Sequence, residues 1–423
     1  MADDAAGPAP GNPQPPPVPL ISVAGPPAEY GAGYGAAAAS VIARNIEHYL
    51  RRFRDEAGLS RSAVRIAGGT FRNASRAAHP RIVEALDAVA GGAEVHVDEV
   101  YALNARTELL YGTGRTAADP PPSDPTDSDS DAGYGSDAGP GSNPGPGRAV
   151  GPDGSAGGCT AAGVLGSRTA DNHLLLGQNW DWHPDQRDTM VLLRTTDERG
   201  LTVLTLTEAG MLAKAGLNSA GLGVCINMLG SDRDGLAPGR SPGVPYHVLL
   251  RAVLEAGSLG QATRVACRTP RNASINLLLG QAGPAGGELL DLEVVPGDVG
   301  WTHPVDGVLT HANHLETALP VRDTTKNLGG SSMFRAARAR RLLVERAAGG
   351  PLSLADLADV FHDHLGLPLA ICRHLDERDA PADQAETVYS VLIDLDARRL
   401  GLAAGPPCRH DYHWLELADG VTG

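Results

Sequence analysis

The segment 116–158 constrains the fold of this chain more than any other feature, because it has almost no apolar side chains. It contains seven aspartates, one arginine and many glycine, proline and serine residues. A stretch of that composition buries too little apolar surface to offset the conformational entropy that is lost on folding. The hydrophobic cores must therefore lie on either side of it, and we interpret the segment as a solvated linker.

The chain differs in pattern on the two sides of this linker. Residues 1–27 are rich in proline, alanine and glycine and are expected to be disordered. Residues 28–115 have helical periodicity instead, which predicts a helical region. Its helices are predicted at 36–53, 79–90 and 97–112.

Strand-like and helical runs alternate in the region downstream of the linker, 159–423. Strands are predicted at 173–182, 189–196, 201–210, 273–281, 287–295 and 306–314, with strand pairs around turns at 218–221 and 397–398. Helices are predicted at 244–268 (two), 332–347 and 354–366. An order of strands, helices, strands, helices and strands is typical of an α+β layered protein.

The overall charge argues against several classes of function. The formal net charge of −15 disfavours nonspecific binding to nucleic acid or to anionic membrane. The N-terminus has two acids and several prolines where a secretory signal needs positive charge and an apolar run. No stretch reaches the length of a membrane span. We therefore expect a cytoplasmic protein without nucleic-acid or membrane partners.

Cysteine is scarce, and one cysteine stands in unusual surroundings. The five cysteines, at 159, 225, 267, 372 and 408, are odd in number and form no CxxC pair, so they do not indicate a disulfide framework. Most free cysteines are small buried apolar residues. Cys159 differs because it begins the strand-rich region, follows Gly157 and Gly158, and ends a linker whose removal would not disturb a core. Glycine also leaves its carbonyl open to approach.

These features of Cys159 predict self-cleavage of the Gly158–Cys159 bond. The thiol would attack the Gly158 carbonyl, shift the acyl group from nitrogen to sulfur, and lose it to water. The cut would leave a thiol and a free α-amine on one residue. An α-amine has a pKa of about 7.7–8 and a thiol a pKa of about 8.5, so the amine can act as base near neutral pH.

Several motifs from Cys159 onward resemble one family in their order and spacing. They are GCTAAGVLG, LLLGQNWDW, TEAGMLAKAGLNSAGLGVCIN, GVPYHVLLR, THANH and ICRHLDE. The chain is similar to the acyl-coenzyme A:isopenicillin N acyltransferase-like proteins (peptidase family C45) of the N-terminal nucleophile (Ntn) hydrolase superfamily. The resemblance spans most of 159–415, with a weaker match at LNARTELLYG. It implies a four-layer αββα sandwich with the nucleophile at the start of a central strand.

The resemblance also implies a catalytic set of four residues. Cys159 would be the nucleophile, and its freed amine the base. Asp181, in GQNWD, would orient that amine, and Asn313, in THANH, would donate a hydrogen bond in the oxyanion hole. Arg373, in ICR, would support Asp181 and favour the thiolate. Such a set has a nucleophile, a base, an orienting acid, a cation and an oxyanion donor.

The same resemblance implies the partners of the protein. Residues 28–115 would form an α chain that stays bound as a non-covalent subunit after cleavage, and 159–423 would form the catalytic β chain. The substrate would be an acyl amide or thioester, with a small nonribosomal-type or N-acylated amino acid favoured. Hydrolysis and acyl transfer share every step up to acylation and stay open. No cofactor or metal is expected, since acyl-coenzyme A would enter as a substrate.

Two other functions stay open on the residues alone. A metal-dependent hydrolase could use the pairs His311 with His314 and His362 with His364, although HxxH lacks the helical spacing and the glutamate base of HExxH. Alternatively, the chain could be a catalytically silent binding or scaffold protein that stays uncut.

Each residue of the proposed set also has a structural interpretation. Without the resemblance, Asp181 and Asn313 would be assigned to turns. Arg373 would be assigned to a surface ion pair with Asp376 or Glu377, a contact that contributes little to stability.

Overall fold

The computed structural model describes residues 16–112, 158–235, 242–325, 330–380 and 384–418. Within these ranges the helices are α1 (Pro27–Ala37), α2 (Ala39–Ala57), α3 (Arg61–Ala78), α4 (Pro80–Gly92), α5 (Val97–Asn104), α6 (Arg106–Tyr111), α7 (Tyr246–Leu254), α8 (Leu259–Arg268), α9 (Ser332–Ala347) and α10 (Leu354–Phe361). The strands are β1 (Leu20–Ala24), β2 (Gly158–Val164), β3 (Leu175–Trp182), β4 (Met190–Thr196), β5 (Thr202–Glu208), β6 (Ala215–Asn218), β7 (Leu222–Met228), β8 (Ile275–Gln281), β9 (Glu288–Val295), β10 (Asp298–Thr302), β11 (Val308–His311), β12 (Glu386–Asp394), β13 (Arg399–Ala403) and β14 (His413–Glu416).

The strands form two sheets. The first has eight strands in the order β1-β4-β5-β6-β7-β8-β9-β10, and the second has six in the order β11-β2-β3-β12-β13-β14. Neighbouring strands run antiparallel except β1 and β4, which are parallel. A strand from upstream of the linker is therefore built into a sheet of the downstream region.

The alternation of side chains along the strands produces the layers of the fold. One face of each sheet contributes to a core between the sheets, including Leu192 and Leu217 from the first sheet and Leu176 and Ile393 from the second. The other face of the eight-stranded sheet is covered by α7 and α8. The other face of the six-stranded sheet is covered by α9 and α10. This order of layers confirms the α+β class and the four-layer αββα sandwich.

The six helices upstream of the linker, α1 to α6, form a further core on the β4 side of the eight-stranded sheet. Tyr34, Ile42 and Tyr49 pack there with Val191 and Leu193 of β4. The predicted helices correspond to α2, α4 and the α5–α6 pair, whereas α1 and α3 were not predicted. The apolar signal of α3 is weak because its buried positions include a glycine and a serine.

Glycine explains why α1 was missed and why it is a helix. A Cβ built on Gly31 or Gly35 would lie 2.3 Å from a carbonyl oxygen of α4, at Ala85 and Val89 respectively. The two helices therefore approach more closely than side chains would allow. A sequence so rich in glycine scores poorly as a helix, because each glycine costs up to about 1 kcal/mol relative to alanine, and packing against α4 overrides this preference.

The expected disordered segment 1–27 differs from the structure at its C-terminal end. Residues 20–24 form β1, which pairs with β4 from Leu20↔Leu192 to Ala24↔Thr196. The apolar run LISVA suits a strand, and pairing with an existing sheet edge satisfies its backbone. Disorder was predicted for 1–27 because the prolines that precede β1 dominate the composition of this segment. Residues 1–15 lie outside the described residues.

The strand predictions downstream are confirmed, including the pair β6–β7 and the pair β12–β13 with Arg398 at φ 56° in its turn. The short strands β10 and β14 were not predicted. The linker 116–158 lies outside the described residues, except for Gly158, which begins β2. Among the described helices, none has the length and apolar character needed to cross a membrane.

Candidate active site

Cys159 occupies the second position of β2, an interior strand of the six-stranded sheet. The register of β2 with β3 places Gly158 opposite Asp181 and Cys159 opposite Trp180. Directly opposed residues of an antiparallel pair are close neighbours. A Cβ built on Gly158 would lie 3.1 Å from Oδ2 of Asp181. The Asp181 carboxylate therefore lies against the residue whose carbonyl the thiol was predicted to attack.

Asn313 contacts the backbone nitrogen of Cys159, the predicted nucleophile. Its Oδ1 accepts hydrogen bonds from the Cys159 backbone N–H at 2.8 Å and from Arg335 Nη2 at 2.8 Å. Its Nδ2 donates to the Met228 carbonyl at 2.9 Å. Two donors on one side and an acceptor on the other determine the orientation of the amide. The oxyanion-hole role of Asn313 stays a prediction, since its Nδ2 is engaged by a main-chain carbonyl here.

Arg335, on α9, is a site residue that the sequence reasoning missed. Its Nη1 donates to the Cys159 carbonyl at 2.6 Å and to Thr160 Oγ1 at 2.7 Å, and it is 4% exposed. Arg335 is one of several arginines in α9, and such arginines are normally assigned to the solvent-exposed face of a helix. The sequence did contain one indication that Arg335 is buried. It lies four residues before Ala339 and eight before Leu343, on the same face of α9 as these two buried residues.

Arg373 lies next to Asp181 in a network that runs through Thr387. The Arg373 backbone N–H donates to Thr387 Oγ1 at 2.9 Å, and Thr387 Oγ1 donates to Asp181 Oδ1 at 2.7 Å. Burial raises the pKa of Asp181, and the guanidinium groups of Arg335 and Arg373 oppose this without reversing it. The expected surface partner of Arg373, Asp376, is instead paired with Arg378 at 2.7 Å. The structure thus brings all four predicted residues to one place.

The thiol of Cys159 is buried, and its surroundings favour the protonated form. Burial and the Asp181 carboxylate raise its pKa. Lys214, Arg335 and a backbone hydrogen bond from Met228 lower it, but not enough to outweigh burial. A base is therefore needed before Cys159 can attack a carbonyl.

A second charged cluster lies beside the thiol, around Glu208. Lys214 Nζ lies 2.9 Å from Glu208 Oε1 and 3.0 Å from the centroid of the Trp180 ring. Arg106 Nη2 lies 2.8 Å from the same oxygen, and Tyr49 donates to Glu208 Oε2 at 2.8 Å. Burial lowers the pKa of Lys214 to about 7. Because Arg106 and Tyr49 belong to α6 and α2, the upstream helices contribute directly to this cluster.

The cavity beside Cys159 has a volume of about 20 Å³, which is space for about one water molecule. It is lined by side chains from both sides of the linker, namely Arg106, Gly158, Cys159, Trp180, Trp182, Lys214, Ile226, Met228, Tyr246 and Ile275. The lining combines apolar surface with the two cations Arg106 and Lys214.

Two of the four histidines of the metal-hydrolase hypothesis, His311 and His314, are bonded to other side chains. His311 Nε2 bonds Glu293 Oε1 at 2.9 Å, and His314 Nδ1 bonds Ser332 Oγ at 2.9 Å. Among the described residues, two groups could hold a metal ion, and neither includes His311, His314 or His362. Neither predicted pair is therefore brought together in a metal group, although His364 belongs to one of the two groups.

The sequence of this chain matches one family model and is similar to a known protein with the same description. Residues 168–408 match the family model described as acyl-coenzyme A:6-aminopenicillanic acid acyl-transferase. The chain is 26% identical over 394 residues to the acyl-coenzyme A:6-aminopenicillanic-acid-acyltransferase 40 kDa form of Emericella nidulans, covering 92% of this chain and 94% of that protein.

Two solved structures are also similar in part. They are penicillin V acylase from Agrobacterium tumefaciens (16% identity, 62% of this chain, 87% of that chain, TM-score 0.41) and a mutant of conjugated bile acid hydrolase from Clostridium perfringens (13% identity, 58% of this chain, 89% of that chain, TM-score 0.41). Since the family model covers more than half of its length, this chain belongs to the acyl-coenzyme A:6-aminopenicillanic acid acyl-transferase family.

Proposed function

We propose that this protein is a cysteine Ntn hydrolase that cuts its own chain between Gly158 and Cys159. The mature enzyme then cleaves an amide or thioester, through an acyl-Cys159 intermediate, by hydrolysis or by transfer to an amine. The observation that carries the proposal is the convergence of Asp181, Asn313 and Arg335 on the Gly158–Cys159 peptide.

The self-cleavage step follows from these contacts. Cys159 Sγ loses its proton to a base and attacks the Gly158 carbonyl carbon, after which the C–N bond breaks and the Cys159 nitrogen takes up a proton. Water then hydrolyses the thioester that remains. Asp181 suits the proton transfer, because burial raises its pKa toward the neutral range and its Oδ2 faces Gly158. Asn313 and Arg335 hold the nitrogen and the carbonyl of Cys159 in place.

The freed α-amine would remain where the amide nitrogen was, between Asn313 Oδ1 and the Asp181 carboxylate. A positive charge on the amine would favour ionisation of Asp181, because opposite charges at short range stabilise one another. In its neutral form the amine would accept the proton of its own thiol. Asp181 and Asn313 would thus keep the base oriented through each turnover.

Cleavage would also open the pocket. Gly158 lines the small cavity beside the thiol, so its departure adds space where an acyl group must bind. Trp180, Trp182 and Ile226 provide an apolar wall for an acyl chain. Arg106 and Lys214 share the single carboxylate of Glu208, so the cluster keeps a net positive charge when Lys214 is protonated, and this favours an N-acylated amino acid with a free carboxylate as the substrate class. The similar protein of Emericella nidulans is named for acyl-coenzyme A and 6-aminopenicillanic acid, and we propose acyl-coenzyme A as a substrate here.

The upstream fragment would stay bound as a non-covalent subunit. Its strand β1 completes the edge of the eight-stranded sheet, and its helices bury a large apolar core against that sheet. Tyr49 and Arg106 also bond the buried Glu208. Release would expose this core and leave Glu208 without two of its partners, which is costly for a buried carboxylate.

Intact mass spectrometry of freshly expressed protein tests the proposal. The wild type should yield two fragments that meet at Gly158–Cys159, and Cys159→Ala should remain one chain. The matched control is Cys267→Ser, which removes an exposed thiol outside the site and should be cut like the wild type. A wild type that stays uncut after long incubation would contradict the mechanism and favour a silent scaffold.

A further inference from the structure

Four side chains that the proposed reaction does not use lie close together, after α10, on both sides of Arg373 and after β13. They are His364, Cys372, His374 and Cys408, and their ligand atoms all lie within 4.8 Å of one another. Cys372 Sγ lies 3.6 Å from Cys408 Sγ and 3.6 Å from His374 Nε2. Cys408 Sγ lies 3.4 Å from His374 Nε2, which in turn lies 3.2 Å from His364 Nε2.

Four of the six separations among these ligand atoms match those of a tetrahedral metal site, and the two between His364 and the thiols are within 4.8 Å. Zinc binds cysteine sulfur at about 2.3 Å and histidine nitrogen at about 2.0–2.1 Å. On a tetrahedron those bonds place two sulfurs about 3.8 Å apart, a sulfur and a nitrogen about 3.6 Å apart, and two nitrogens about 3.3 Å apart. The measured distances agree with these values within a few tenths of an ångström. Two thiols with two imidazoles are also a ligand set that selects zinc.

We propose that His364, Cys372, His374 and Cys408 bind one zinc ion. Binding would release the two thiol protons, so that two thiolates balance the charge of Zn²⁺ and the two imidazoles bind in their neutral form. All four positions of the tetrahedron are filled by protein atoms. The site is therefore structural, since a catalytic zinc keeps one position open for water or substrate.

The zinc would join three separate parts of the chain close to the nucleophile. His364 follows α10, Cys372 and His374 flank Arg373, and Cys408 follows β13. The main chain of Arg373 is bonded to Thr387, whose hydroxyl donates to Asp181. A metal ion bound to Cys372 and His374, the two neighbours of Arg373, would hold this arginine next to the Asp181 carboxylate. The inference itself depends on the four ligands and not on self-cleavage.

Metal titration of the full-length chain tests the proposal directly. The Cys159→Ala chain is used, under reducing conditions and after treatment with a chelator, so that the nucleophile cannot supply a thiolate. Co²⁺ should bind once per chain, with the visible absorption of a tetrahedral ion and a thiolate-to-metal charge-transfer band. Zn²⁺ should displace it. The readout does not depend on enzyme activity.

Matched variants locate the site. Cys408→Ser and His364→Ala should each weaken binding by more than about 100-fold, because each removes one of four direct ligands. His364 is exposed, so His364→Ala is expected to leave the fold intact. Cys267→Ser and Asp171→Asn should bind like the parent chain. Asp171 belongs to the other candidate group, with His173 and Asp394.

Several outcomes would overturn the proposal. One is cobalt absorption without a thiolate band, and another is metal retained by both His364→Ala and Cys408→Ser. Loss of metal in Asp171→Asn alone would place the ion at the other group. In protein kept without reductant, a mass two hydrogens below that of the reduced chain, and no such deficit in Cys408→Ser, would reveal a Cys372–Cys408 disulfide instead. Failure of Gly158–Cys159 cleavage in the wild type would leave this inference standing.

Discussion

The side-chain oxygen of Asn313 accepts a hydrogen bond from the backbone N–H of Cys159, 154 residues away in the chain, at 2.8 Å. This nitrogen is the atom that self-cleavage would convert into the catalytic α-amine. The contact therefore holds the reacting residue before the cut and would hold its base afterwards. The protein belongs to the acyl-coenzyme A:6-aminopenicillanic acid acyl-transferase family, and Asn313 is the predicted site residue that bonds this nitrogen directly.

Replacement of Asn313 separates two roles for its amide. If Oδ1 anchors the Cys159 nitrogen, Asn313→Asp should cut its chain faster than Asn313→Ala, because Asp keeps an acceptor at that position. The alanine variant should slow cleavage by about 10- to 100-fold, the cost of leaving a buried donor unpaired. The cut fraction is followed over time by mass spectrometry. Equal rates for the two variants would point to Nδ2 and the oxyanion hole instead.

Arg335 should be needed for cleavage although no motif marks it. Arg335→Met removes the donor to the Cys159 carbonyl and the donor to Asn313, and we expect at least a 100-fold slower cut. The matched control is Arg341→Met on the same helix, whose side chain is half-exposed and forms only a 3.9 Å pair with Glu345. Normal cleavage in Arg335→Met, with circular dichroism unchanged, would show that this arginine is dispensable.

Asp181→Asn should abolish activity and yet not destabilise the fold at neutral pH. The pKa of Asp181 is raised in the folded state, so ionisation above that pKa costs folding free energy, whereas at low pH both states are protonated and no cost arises. Asparagine removes this cost and can still accept from Thr387. In the uncut Cys159→Ala chain, adding Asp181→Asn should give a Tm near pH 7 equal to or above that of the Cys159→Ala parent, and the difference should shrink in acid. A variant that turned over normally would refute the role of Asp181.

The buried pair of His311 and Glu293 should make stability depend on pH. Burial lowers the pKa of His311, but Asp291 and Glu293 outweigh it and raise the value to about 9. This stabilisation is complete below the ordinary pKa of about 6.5 and is lost as pH rises through about 9.

Comparison with Glu293→Gln isolates the contribution of this pair. In the wild type alone, Lys214 would oppose this effect: its pKa is lowered to about 7, so its contribution to the free energy of unfolding rises above that pH. Both chains contain Lys214, so its contribution cancels when the two are compared. The difference in unfolding free energy between the wild type and Glu293→Gln should therefore be measured by urea titration at several pH values. We expect it to shrink above about pH 9, and a constant difference would refute a charged His311.

The two fragments should remain associated after the cut. An affinity tag at the N-terminus of the chain should capture the untagged 159–423 fragment from cleaved protein, and only denaturant should release it. The reason is the shared core of α1 to α6 with β4, together with the pairing of β1. Elution of the two fragments as separate species in native buffer would contradict the proposed subunit arrangement.

Much of the fold follows from local pattern. The apolar runs in LLLGQNWDW and TVYSVLIDL and the helical stripe of α2 are properties of neighbouring residues, so local pattern predicts them directly. The misses upstream of Cys159, α1, α3 and β1, are elements whose own residues are small, polar or flanked by proline. Their stability comes from close packing on α4, on α5 or on the edge of β4, which no local pattern records.

By itself the sequence determined the order of the parts: a segment with almost no apolar side chains, two glycines, Cys159 as the predicted nucleophile, and motifs that contribute Asp181, Asn313 and Arg373. Only the tertiary structure decided that Arg335 bonds the carbonyl of Cys159, 176 residues away, and that His364, Cys372, His374 and Cys408 meet. The physical reason is burial. The residue type does not reveal whether a charged or metal-binding side chain lies in solvent or in a core. Packing between segments that are distant in the sequence decides which partners that side chain has.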